Sequence, residues 1–307
     1  MNNKKTIMTV SALFILIFHL WINITKSINE LYIRQLLVVG VDMFFFLSCY
    51  SIGKREIKYK EFIKNRILDI YIKFIILSVI YYLYKGFDLL EFIKTILGIN
   101  LFIKGGGSFL WFIPGIMIVY LLLPLYKKID NKIYVPIITI FIYLSVCILI
   151  SYNTYYDEIF VLFNRIPIML IAYYMGKYNV INYLDDKKYW LITILLLTIG
   201  FAISYISIVN RIELEWFYDI YYLIYIPFVL GLIMLLDKIK DNKLTNLLGS
   251  ITLELYGLQM IFGYKIVNMI YLHVNNALLT NVLVIIVMVI LSIILKYIFD
   301  IKKMIIK

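Results

Sequence analysis

Only two histidines occur in this chain, and His19 is the one that falls inside an apolar run, FILIFHLWI. An imidazole there can act as a proton acceptor if a neighbour fixes its tautomer. Asp42 and Arg165 also fall inside apolar runs. Counting inward from the expected helix ends at 1.5 Å per residue puts His19, Asp42 and Arg165 roughly 8–10 Å deep, all at one level. A histidine, a carboxylate and a guanidinium at matched depth either form a proton-transfer site or a structural polar cluster that fixes helix packing. Gln259 projects toward the same half of the chain's ninth apolar run. Glu254 lies in the other half of that run without a sequence neighbour to pair with, so a packing contact to a hydroxyl is expected.

A second concentration of chemistry is the stretch from Lys54 to Arg66, with six cations and two acids in thirteen residues. Such a stretch grips anionic lipid head groups or a phosphate-rich cofactor. Just beyond it, Asp69 and Lys73 stand at i, i+4, the spacing of an intrahelical ion pair. Two distant histidines and no clustered carboxylates do not make a metal site, and nucleotide hydrolysis lacks a P-loop. Cys49 and Cys147 lie in apolar runs without metal or redox spacing and are expected to be free.

These residues must be positioned by helices in a bilayer. The 307 residues are 63% hydrophobic and only 16% charged, against about 45–50% and about 25% in an average soluble domain. Apolar runs of membrane-spanning length recur over 6–25, 35–52, 67–84, 109–126, 133–152, 160–176, 189–209, 218–236, 246–265 and 277–299. The expected fold is an all-α, polytopic integral membrane protein of about ten transmembrane helices, with residues 1–307 forming a single domain. The first run lacks a small-residue cleavage site and is read as a retained helix rather than a secretory signal. Residues 87–103 carry Asp88, Glu91 and Lys94 at helical spacing and are expected to lie in the interface as an amphipathic helix. Gly105, Gly106 and Gly107 then provide a flexible link to the fourth span. His273 is expected in an outer loop, and Trp111, Trp190 and Trp216 in interfacial aromatic belts.

The charges test the count. Thirty Lys and Arg against nineteen Asp and Glu leave a formal net charge of +11. With both termini inside, twenty of the thirty cations fall in inner segments and seven (Lys26, Arg34, Lys85, Lys94, Lys104, Arg165, Arg211) on or near the outer side. That asymmetry predicts an N-in, C-in topology, and it replaces nucleic acid with a lipid leaflet as the anionic partner.

Six segments in order resemble the integral-membrane acyltransferase-3 family, whose members O-acylate carbohydrates at the cell surface. They are FILIFHLWI with His19; GVDMFFFLSCYSIGK with Asp42 and Ser48; FIKNRILDIY with Arg66; LWFIPGIMIVYLLLPLY with Trp111, Phe112, Tyr120 and Pro124; FNRIPIMLIAYYMGKY with Arg165, Pro167, Gly176 and Lys177; and LLGSITLELYGLQ with Gly249, Glu254 and Tyr256. The chain departs from the family pattern at Met8, where an Arg is usual, and at Cys49, Asp69, Ile72 and Gln259.

The resemblance implies an O-acyltransferase that takes an acetyl or other small acyl group from cytoplasmic acyl-CoA. The acceptor would be a hydroxyl of a cell-surface or exported polysaccharide or of a lipid-linked glycan. It implies His19 as general base with Asp42 beside it, and Arg66, with Lys64 and Lys58, on the CoA phosphates. Arg165, Trp111, Glu254, Tyr256 and Gln259 would form the substrate or polar layer, and no metal takes part. The expected location is the inner (cytoplasmic) membrane, in the company of glycan-assembly proteins, with transfer direct or finished by a separate protein. Two other readings stand beside it: a carrier or flippase for a lipid-linked sugar, with buried charges along its pathway, and a catalytically inactive member of a glycan-assembly complex.

Overall fold

The structure, a computed structural model, describes residues 1, 3–25, 27–131, 134–151, 161–210 and 221–305. Lys26, Lys132, Arg211, Trp216 and Lys307, used above for topology and belts, lie outside the described residues. Every regular element among those described is helical: α1 (Lys4–Leu20), α2 (Ile28–Leu36), α3 (Val39–Lys54), α4 (Tyr59–Phe62), α5 (Leu68–Lys85), α6 (Leu89–Ile96), α7 (Ile99–Lys104), α8 (Phe112–Ile129), α9 (Tyr134–Ser151), α10 (Ile166–Lys177), α11 (Asp186–Asn210), α12 (Tyr221–Ile224), α13 (Ile226–Asp237), α14 (Lys243–Leu248), α15 (Thr252–Val274) and α16 (Ala277–Ile305). Each of the ten apolar runs holds a helix. By length and composition, five described stretches are long and apolar enough to cross a membrane: Ile28–Lys54, Tyr59–Lys85, Phe112–Ile129, Asp186–Val209 and Ala277–Asp300. Exposed Leu, Ile and Phe side chains cover much of the surface, including Phe141, Leu191 and Leu272. That surface is stable in lipid and unfavourable in water.

One end of the bundle collects the lysines. Lys127 Nζ donates to the carbonyls of Ile52, Gly53 and Arg55 at 2.7–3.0 Å. Lys177 pairs with Asp130 at 2.7 Å, Lys238 with Asp186 at 2.9 Å, and Lys5 donates to the Gly249 carbonyl at 3.1 Å. These contacts tie the end of α8 to the ends of α3 and α10, the end of α13 to the start of α11, and the start of α1 to the end of α14, so several of the lysines counted for topology serve as cross-helix ties.

Close helix approach fixes the register that matters for the site. A Cβ at Gly53 would overlap the Tyr173 carbonyl oxygen, and one at Gly176 would overlap the Tyr50 carbonyl oxygen. α3 and α10 therefore pack side by side, and the contact of Asp42 with Arg165 eleven residues earlier on each helix makes them parallel, offset by about 123 in residue number.

The depth expected for His19 needs correction. Arg34 Nη1 donates to the Trp21 carbonyl at 2.8 Å, and a Cβ at Gly40 would press on the Ser11 carbonyl and the Ile15 side chain. α2 and α3 form a nearly continuous stretch that starts at Ile28, seven residues before the start expected at 35. Asp42 thus lies eight residues from Arg34, roughly 12 Å, whereas His19 lies only two residues from Trp21, roughly 3 Å. The two are separated by roughly 9 Å along the bundle instead of sharing a level. The extra turns of α2 were hidden because INELYIRQL is only weakly apolar.

Other expectations resolve locally. Residues 87–103 break into α6 and α7 at Gly98, whose φ of +74° needs no Cβ, and neither piece is long enough to cross a bilayer. Gly105–Gly107, expected as a flexible link, form a turn of 3₁₀-helix. His273 lies in the last turn of α15 rather than in a loop, with Nδ1 2.7 Å from the Met269 carbonyl. Cys49 is a buried free thiol, as its apolar run suggested.

Candidate active site

Three helices build a buried polar layer from the residues with the strongest chemistry. Asp42 sits in the first turn of α3, and Arg165 is the residue at which α10 begins. Their relative exposures are 4% and 1%, and Arg165 Nε lies 3.1 Å from Asp42 Oδ1. The guanidinium is also tied to the Val161 carbonyl and lies 5.1 Å from the ring centroid of Trp111, which caps α8. Trp111 is thus a cation–π partner rather than part of an interfacial belt. It follows Leu110, a fully buried residue held at φ +52°. A left-handed leucine costs roughly 1–2 kcal/mol, and the local backbone conformation sets the direction from which Trp111 meets Arg165. The second carboxylate oxygen, Asp42 Oδ2, is buried without a hydrogen-bond partner among the described residues.

His19 does not join this pair. It sits in the last turn of α1, half-buried, with its ring edge-on to Phe18 at 5.0 Å and no hydrogen bond among the described residues. Its ring nitrogens are therefore not committed to a structural contact. Tyr256 packs edge-on against Phe112, next to Trp111. Gln259, one turn further along α15, is 2% exposed with neither amide atom hydrogen-bonded among the described residues. Buried polar atoms left so cost about 1–3 kcal/mol each. Glu254 is corrected: its partner is neither Ser nor Tyr but Lys73, at 2.8 Å. Lys73, expected to pair within its own helix, thus makes a cross-helix pair.

The second feature is a cavity of about 670 Å³ at the lysine-rich end, lined by residues of α1, α3, α8 and the segment from Arg55 to Arg66. Its deep part is apolar and hydroxylic: Met8, Phe44, Leu47, Ser48 and Tyr120, with Ser48 Oγ and Tyr120 Oη 3.1 Å apart. Its outer part carries Lys4, Arg55, Lys58 and Arg66 against Glu56 and Glu61. Lys58 is partly neutralised by Glu61 at 3.6 Å. Residues 63–67 wind as a single π-helical turn, a local widening common at functional sites, and the turn carries Asn65 and Arg66, both of which line the cavity.

Of the three cations expected to meet a cofactor, Arg66 and Lys58 line this cavity, whereas Lys64 is exposed and outside it. Sequence reasoning overlooked Lys4, Ser51 and Tyr120 as cavity residues. The signal for Lys4 was present: it precedes Met8 by four residues, which puts both on one helix face. Burial lowers the Lys4 ammonium from its ordinary pKa, and the positive charges of Arg55, Lys54 and Arg66 lower it further. The cavity therefore has a field that attracts anions.

The Asp42 layer lies immediately beyond the deep end of this cavity. Phe44, which lines the cavity, is two residues from Asp42, and its ring packs 5.9 Å from Phe112. His19 lies on the far side of the Asp42–Arg165 pair. The order from the lysine-rich end is thus a basic mouth, an apolar and hydroxylic throat, a buried ion pair, and then an uncommitted imidazole. No curated protein and no solved structure matches the chain. A family model described as an acyltransferase domain, acyltransferase-3, matches residues 9–300, nearly the full length. The match covers nearly the whole chain, and the chain belongs to the acyltransferase-3 family.

Proposed function

We propose that this membrane acyltransferase transfers an acetyl, or another small acyl group, from cytoplasmic acyl-CoA to a hydroxyl of a cell-surface or exported polysaccharide or of a lipid-linked glycan. The observation that carries the reading is the cavity of about 670 Å³ with cations at its mouth and an apolar throat. A donor with phosphates at one end and a thin thioester arm at the other matches that order, since phosphates meet Arg66 and Lys58 while the arm is desolvated by Met8, Phe44 and Leu47. The bundle crosses the inner membrane ten times, with both termini cytoplasmic, so the lysine-rich end meets the donor and the anionic leaflet.

In this reading the acceptor approaches from the His19 side. His19 takes the proton of the acceptor hydroxyl, and the oxygen attacks the thioester carbonyl. The carbon–sulfur bond breaks, the ester forms, and the CoA thiolate leaves and takes up a proton. A positioned base contributes about 10²–10⁴-fold. Asp42 and Arg165 lie between donor cavity and imidazole, where their fixed charges and the free Asp42 Oδ2 orient polar groups of the reacting pair. Mass spectrometry of surface glycan from a strain lacking the gene tests the reading. Missing O-acyl groups on an otherwise normal polymer support it. A polymer absent altogether contradicts it and favours a carrier or an assembly scaffold.

A further inference from the structure

Lys4 Nζ donates to Ser51 Oγ at 2.7 Å, and both residues line the basic cavity. Among the described residues Lys4 has no carboxylate within ion-pair distance, and the same holds for Arg55 and Arg66. Three cations from three separate segments therefore line one space without an ion pair of their own among the described residues: the start of α1, the extended residue after α3, and the π-turn before α5, with Glu56 and Glu61 too few to balance them and Lys58. An ammonium held among like charges away from water is unfavourable unless something neutralises it. Burial first, and then the like charges of Arg55, Lys54 and Arg66, lower the Lys4 pKa against an opposing pull from Asp237. A ligand with several phosphates relieves this excess of positive charge.

We infer that Lys4, held by Ser51, is a donor-binding residue that contacts a phosphate of the acyl-CoA together with Arg66 and Arg55. This rests on the donor proposed above and adds a residue from the first helix to it. Met8, one turn further in on the same face, presents no charge to the cavity. The cation that α1 contributes is thus at the mouth, where phosphates arrive, and the wall beyond it is apolar. Lys4 makes no contact with the thioester in this assignment. Its removal therefore raises the KM for the donor and leaves kcat at saturating donor close to unchanged.

The test uses full-length protein in nanodiscs, with binding of CoA, pantetheine and anionic phosphatidylglycerol measured for the wild type, Lys4→Ala, Lys4→Gln, Lys4→Arg and Arg66→Ala. Lys4→Gln keeps a donor for Ser51 and removes only the charge, so it covers the case in which the alanine variant fails to fold. The expected result is a loss of CoA affinity of about tenfold or more in Lys4→Ala and Lys4→Gln, the effect of one lost charged contact. Lys4→Arg restores it, and pantetheine binding does not change. Unchanged CoA affinity in the Lys4 variants, with a clear loss in Arg66→Ala, overturns the inference and leaves the donor reading standing. Loss of phosphatidylglycerol binding alone overturns it in favour of a lipid site. A wild-type protein that binds no CoA overturns the donor reading itself and this inference with it.

Discussion

Arg165 Nε lies 3.1 Å from Asp42 Oδ1 across two parallel helices, and both side chains are almost wholly enclosed. Removing one partner leaves an uncompensated charge in the bundle, which costs about 3–5 kcal/mol. Asp42→Ala and Arg165→Ala should each lower the thermal unfolding temperature in detergent strongly. The double variant should be less destabilised than the sum of the two, since neither charge remains. Additive losses would show that the two groups do not interact.

The register that creates this pair depends on the absence of side chains at Gly53 and Gly176. A methyl group at either position meets a carbonyl oxygen of the facing helix, so α3 and α10 must separate. Gly176→Ala should destabilise by about 1–3 kcal/mol and lower acyl transfer further than its stability loss explains. Wild-type stability and activity in Gly176→Ala would contradict the close packing.

Lys73 and Glu254 join α5 to α15 at 2.8 Å, with the carboxylate buried and its second oxygen unpartnered among the described residues. Lys73→Met should be costly, about 3–5 kcal/mol, because it strands the carboxylate. Adding Glu254→Leu to it should recover most of that loss. A Lys73→Met variant as stable as the wild type would rule out the pair.

At the opposite end, α6 and α7 are clamped by Glu91, which binds Lys104 at 2.5 Å and Lys94 at 3.0 Å. Hydrogen bonds from Lys104 and then Lys94 hold the Glu91 carboxyl down to about 2, from an ordinary 4.5. A depressed carboxylate contributes stability that is present above its unfolded pKa and is lost as pH falls through its folded one. The difference in unfolding temperature between wild type and Glu91→Gln should therefore hold from pH 7 to about 5 and shrink between 4.5 and 2. Its exposure keeps the effect small. A difference that grows on acidification would contradict the assignment.

Much of this architecture was legible from hydropathy, because a helix surrounded by lipid needs an unbroken apolar run and leaves a clear trace. The apolar runs each hold a helix, and Asp88, Glu91 and Lys94 marked residues 87–103 as amphipathic, although the division of that segment at Gly98 was not expected. Pairings between helices were legible only in part. Lys73 has Asp69 at the ideal sequence spacing, yet it binds Glu254, 181 positions away, since nothing local records which helix faces it. Depth failed for a similar reason: the weakly apolar α2 extends α3 outward and sinks Asp42 relative to His19. Asp42 with Arg165 was predicted as part of a triad and emerges as a pair, whose register is set by two glycines. The cavity was half legible, through Arg66 and Lys58. Lys4 escaped because its charge had been counted only for topology.

The proposed acyl transfer from acyl-CoA to a glycan hydroxyl, with His19 as the base, is tested by a transfer assay on membranes. Membranes carrying the wild-type or the His19→Ala protein at equal abundance would be incubated with labelled acetyl-CoA and native glycan. His19 makes no hydrogen bond among the described residues, so His19→Ala should leave stability nearly intact. It should lower transfer by about 10²–10⁴-fold, the range for loss of a general base. The expected result is base-labile label on the glycan with the wild type and almost none with His19→Ala. Equal labelling by the two proteins would contradict the assigned base, and no labelling by the wild type with acetyl-CoA or any other small acyl-CoA would contradict the proposed reaction.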